Sequence, residues 1–250
     1  MTVQSPSQTI DLVIISSLIL LSELSIYLFG PKIGIIENAA ILTLIIAEVT
    51  LTERLGREFL HVFQAMILVP VYRIITLSTP PEIITYNGYL LLTTVAILAG
   101  TMILITATKL TLGDVGMRLR DSRLQILCIT AGPFIGYLEW TLLKPAGSVA
   151  IMPGILILTL TAFTEELIFR GLLQQSIERA VKSPPFAILL TTILYTTFFI
   201  SYASGRELIL VLLTSLLFGY TVSRSRSVVG VAISHALLNV VSLLILPIYA

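Results

Sequence analysis

The sequence is short of what a soluble enzyme uses at its surface. Charged residues make up only 12% of its 250 residues, against about a quarter in a typical soluble domain. A single cysteine, Cys128, excludes an internal disulfide; lying in an apolar run, it reads as a small packed hydrophobe. There are two histidines, His61 and His235, and no HExxH, CxxC or Cys/His zinc spacing. Carboxylates and one imidazole could ligate zinc in principle, but this pattern gives no such site, and we expect neither metal nor cofactor. The net charge of +1 offers no field that would draw nucleic acid. The first residues, MTVQSPSQTID, carry no Lys or Arg, and no A-x-A site follows, so the first apolar run is expected to be a retained helix rather than a cleaved leader.

What the chain has instead is apolar length. Hydrophobic residues make up 56%, and the mean hydropathy is +1.00. One soluble core could not hide that much apolar surface. Runs of about 20 apolar residues can cross a bilayer, and nine appear, near 10–29, 34–52, 59–77, 87–107, 124–143, 151–178, 184–203, 206–223 and 228–248. Glu37, Glu48, His61 and Arg73 interrupt the second and third, which are the weakest. The expected fold is therefore all-α, a polytopic membrane helix bundle of eight to nine transmembrane segments with membrane lipid as its surroundings. Ten of the fifteen basic residues fall in connections after even-numbered segments and three after odd-numbered ones. The positive-inside rule then puts the even connections and the N-terminus in the cytoplasm, and the cell membrane is the expected location.

Polar residues inside such segments need a reason to be there. The sixth segment carries Glu165-Glu166-Leu-Ile-Phe-Arg170-Gly171. Glu166 and Arg170, four apart, share a helix face and can pair. Glu165 points about 100° away and is free to face a cavity as a general base. Alone, the motif reads equally well as a helix end emerging into water. The last segment carries His235-Ala-Leu-Leu-Asn239, with His235 and Asn239 on one face. Two donors converging on one point suit a developing oxyanion; the same pair also serves as glue between membrane helices. Glu139, near Trp140 and Lys144, is expected to pair with Lys144 or Arg170 in a structural role. Gly132-Pro133 should kink the fifth segment and open room. The connector TLGDVGMRLRDSR is expected to form an amphipathic surface helix.

Together, EELIFRG at 165–171 and HALLN at 235–239 resemble the paired motifs of the CAAX protease and bacteriocin-processing family, intramembrane glutamic endopeptidases that include the type II CAAX prenyl endopeptidases. The resemblance covers about residues 120–248. It implies that Glu165 activates water, Glu166 and Arg170 fix and tune it, and His235 and Asn239 form the oxyanion hole. It implies peptide or protein tails at the membrane as substrates. We expect a polar cavity among the C-terminal helices, opening toward the cytoplasmic leaflet. The family usually carries FxxxH between these motifs, and no histidine lies there in this chain. Either Tyr195 and Phe199 or Phe198 and Tyr202 occupy the two places; the spacing to the last motif favours Phe199 in the histidine place. A catalytically silent scaffold or chaperone is the alternative this departure raises. The expected organisation is N-terminal membrane helices at 1–110, a cytoplasmic connector at 111–123 and catalytic core helices at 124–250.

Overall fold

The computed structural model describes residues 6–51, 56–79, 84–144, 151–201 and 204–248. It is helical throughout, with no strand among the described residues. The helices are α1 (Pro6–Phe29), α2 (Pro31–Leu51), α3 (Arg57–Met66), α4 (Leu68–Ser78), α5 (Tyr86–Ala107), α6 (Ser122–Leu143), α7 (Ile151–Glu166), α8 (Gln175–Val181), α9 (Pro184–Thr197), α10 (Gly205–Ser225) and α11 (Val229–Val240). A π-helical stretch, Leu167–Gln174, joins α7 to α8 without a break, and a π turn, Val241–Ile245, extends α11.

Eight helical stretches among the described residues are long and apolar enough to cross a membrane. The two weakest sequence segments are among them, as Pro31–Thr50 and Arg57–Ser78. Two of their polar residues, Asn38 and Arg73, are paired internally. Asn38 donates from Nδ2 to Ser22 Oγ and to the Gly34 carbonyl, both at 2.9 Å, and buried Arg73 is held by buried Glu23 of α1. The Arg57–Ser78 stretch breaks at Ile67, where α3 gives way to α4. Pro70 lies just beyond and has no N–H to return to residue 66.

The short member is instead the seventh segment. Its helix, Pro184–Thr197, ends before Phe198–Ser201, which turn. At about 1.5 Å per residue, its 14 residues fall short of a hydrocarbon core of roughly 30 Å. It still carries the chain from one end of the bundle to the other. Glu178 of α8 pairs with Arg226 just past α10, so those two helix ends share a side, and α9 must return the chain to the far side where α10 begins.

The connector departs from expectation: residues 108–121 form turns, not a surface helix. Gly113 and Gly116 disfavour helix, and Gly116 sits at φ +75°. Asp114 accepts from the Thr111 amide (2.8 Å) and hydroxyl (2.6 Å), closing a turn instead. That bonding draws the Asp114 carboxyl below its usual range, with Arg179 and Arg118 adding to the effect. Val115 is buried, its carbonyl lies against Gly171, and the Gly116 carbonyl accepts from Val228 N at 2.9 Å.

α6 and α11 pack backbone to backbone. A Cβ at Gly132 would collide with the Ser234 carbonyl oxygen, and one at Gly136 with that of Leu238. Ser234 Oγ donates to the Cys128 carbonyl at 2.7 Å on the same seam. Gly132-x-x-x-Gly136 is thus a small-residue helix crossing. At the position where Gly132-Pro133 was expected to open room, the two helices are in backbone contact.

Candidate active site

Glu165 and Glu166 end α7, where the winding loosens into the π-helical stretch. Such turns often mark functional sites because they displace side chains from the regular helical ladder. The two carboxylates separate as the spacing predicts. Glu166 is fully buried and lies 3.3 Å from Arg170 Nε. Arg170 is buried too; its Nη2 donates to Ser215 Oγ of α10 at 2.8 Å, and its Cζ lies 4.6 Å from the Tyr195 ring centroid. A buried cation thus meets one carboxylate, one hydroxyl and one aromatic face, which together offset its desolvation.

His235 of α11 joins this group. Its Nδ1 is 2.9 Å from Glu166 Oε1, and its Nε2 is 3.9 Å from Glu165 Oε2. Asn239, one turn further along α11, lines the same cavity. Glu165, Glu166, Arg170, His235 and Asn239 are therefore brought together, although Glu165 and His235 are 70 positions apart in the chain.

The cavity has a volume of about 400 Å³. Glu166, Arg170, His235 and Phe218 close its inner end, and Tyr86, Glu139 and Glu207 line it towards the end of the bundle where α5 and α10 begin and α6 finishes. That end is opposite the basic connections that follow α5, α8 and α10. The cavity thus runs to the end of the bundle away from the basic connections, whereas an opening on their side was expected. Loop charge sets orientation but carries no information on where helices part. Glu139 belongs to this cavity wall, and among the described residues no ion pair joins it to Lys144 or Arg170.

The sequence missed the immediate partners of Glu165. Tyr72 of α4 donates its O–H to Glu165 Oε1 at 2.8 Å, and Tyr195 of α9 donates to Oε2 at 2.8 Å. Phe199 lines the cavity and stacks near Tyr195, with ring centroids 5.4 Å apart. Tyr202, the other middle-motif position, lies outside the described residues. Tyr72 carried no sequence signal; it lies 93 residues from Glu165 among nine tyrosines. His61, the one histidine outside the motifs, is half-buried on α3 and is not among the residues lining the cavity.

Residues 147–241 match the family model described as type II CAAX prenyl endopeptidase Rce1-like. This region is similar to the CAAX protease family. The matched stretch holds both motifs and α7 to α11, and a CAAX-protease-like function in the general sense follows from it. No curated protein and no solved structure matched the chain. The matched region supplies part of the cavity lining; α4, α5, α6 and Leu243, outside the match, supply the rest.

Proposed function

We propose that the protein is an intramembrane glutamic endopeptidase acting on protein or peptide tails presented at the membrane. The observation that carries this reading is Glu165: a carboxylate facing a polar cavity inside an apolar bundle, with its neighbour Glu166 engaged by Arg170 and His235. Glu165 accepts a proton from water, the resulting hydroxide attacks the scissile carbonyl, and the same carboxyl returns the proton to the departing amine. His235 and Asn239 donate to the oxyanion, each such donor contributing about 10²–10³ in rate. In this reading the His235 ring works as an imidazolium, with Glu166 as counter-ion at Nδ1 and Nε2–H turned to the cavity. No metal or cofactor takes part.

The charge asymmetry of the connections supports a cytoplasmic N-terminus in the cell membrane. Since the cavity runs to the opposite end, substrates would enter from the non-cytoplasmic side. Phe199 at the favoured middle-motif position supports the second reading, a scaffold or chaperone that keeps the fold without cutting. The deciding experiment is cleavage of a peptide library by purified protein in lipid, with Glu165→Gln as control. Cleavage by wild type but not by the variant supports the peptidase. Equal release by both, or none by either, removes it.

A further inference from the structure

Two tyrosines hold the one carboxylate that the proposed chemistry needs. Tyr72 donates to Oε1 and Tyr195 to Oε2 of Glu165, each at 2.8 Å and each from a different helix. Both rings are fixed by aromatic neighbours rather than left free to swing. Tyr195 is buried and packs edge-on against Phe169, with centroids 5.1 Å apart, while the Arg170 guanidinium covers its face. The Tyr72 ring meets Phe198 edge-on at 5.6 Å. Such pairs prefer this geometry and resist rotation. A carboxylate oxygen has two acceptor sites, so one hydroxyl on each oxygen leaves a second site on each. On Oε2 that site lies beside His235 Nε2, 3.9 Å away. One water can touch both atoms across such a gap.

We propose that Tyr72 and Tyr195 are positioning residues that clamp the Glu165 carboxylate in one plane and turn its free Oε2 site toward a water shared with His235. Neither tyrosine takes the proton. They fix the acceptor's orientation, so an imidazole partner at position 199 is not needed for that purpose. Tyr72 comes from outside the region that matches the protease family. Its part in the site therefore rests on the geometry and not on the family match. The kinetic consequence rests on the glutamic-peptidase reading; the clamp itself does not.

The test uses full-length protein in lipid. Infrared spectra of wild type and Glu165→Gln identify the Glu165 carboxylate band by difference; the same band is then followed in Tyr72→Phe and Tyr195→Phe. Thermal unfolding of each sample confirms that the variants are folded. The expected result is a shifted Glu165 band in both phenylalanine variants. An unshifted band in folded variants overturns the clamp. In kinetics, each variant is expected to lose about 10²-fold in kcat, the scale of a misplaced reacting group, with KM within about twofold. A raised KM with unchanged kcat would assign the tyrosines to substrate binding and also overturn the proposal. If wild type cuts no peptide while the band shifts as expected, the clamp stands and the peptidase reading falls.

Discussion

His235 is bonded to the second glutamate of the pair and not to the first: its Nδ1 lies 2.9 Å from Glu166, and its Nε2 is 3.9 Å from Glu165. Two adjacent residues of identical chemistry thereby acquire different surroundings. Glu166 is locked between Arg170 and His235 with no exposure, whereas Glu165 keeps its contact with the cavity.

This division predicts opposite failures for neighbouring substitutions. Glu166→Ala leaves Arg170 buried without its counter-ion and should cost about 3–5 kcal/mol of stability, read as a lowered unfolding temperature in detergent or lipid. Glu165→Gln keeps the shape of the cavity-facing partner, whose side chain is 15% exposed, and should unfold close to wild type while losing about 10²–10⁴ in hydrolysis.

Asn239→Ala tests the oxyanion assignment. The expected outcome is a fall of about 10²–10³ in kcat with little change in KM, measured on whichever peptide wild type cleaves best. A KM effect alone would move Asn239 to substrate binding.

The seam between α6 and α11 predicts steric intolerance. Gly132→Leu should separate the helices and destabilise by about 1–3 kcal/mol, seen in thermal unfolding. Gly100→Leu, where a Cβ meets nothing within 4 Å, is the matched control and should be silent.

The connector should respond to acid. The Asp114 carboxyl is held below its ordinary value of 3.8, chiefly by the Thr111 hydroxyl and amide. A depressed folded value means that the turn's stabilisation is complete above the unfolded value and lost as pH falls through the folded one. Amide exchange across residues 111–117 should therefore stay slow at neutral pH and quicken only below the usual aspartate range. In Asp114→Asn it should already be fast at neutral pH, with no further acid step.

Sidedness can be read chemically. In a Cys128→Ala background, Lys144→Cys should react with a membrane-impermeant maleimide on intact cells, and Arg120→Cys only after permeabilisation. Both parent positions are exposed, at opposite ends of the bundle. The reverse pattern would invert the orientation.

Much of this was legible in the sequence because hydropathy and i,i+4 spacing are local. Glu166 with Arg170, and His235 with Asn239, follow from helical geometry alone. Eight of the nine apolar runs return as helices long enough to span, and the remaining one, the seventh, is the exception. Tyr195 to Ile200 continues the apolar run beyond the end of α9, so hydropathy overstated a helix that the turn at Phe198–Ser201 cuts short. The connector was misjudged because its alternating polarity resembles an amphipathic helix, while Asp114 and two glycines favour turns. The partners of Glu165 could not be read at all. Which of nine tyrosines reaches it depends on how α4 and α9 pack against α7, and that is a tertiary fact.

Tyr72 also bears on how such a protein can be cut and recombined. A fragment beginning at Ser122 would contain every residue of the two motifs and none of α4 or α5. It would carry Glu165 with one oxygen unclamped and a cavity missing the wall that holds Tyr86 and Tyr89. Exchanging the first helices for those of a relative would exchange a contact of Glu165 along with them. The half that bears the motifs is thus not a transplantable cassette, and the two halves can change only in step with one another.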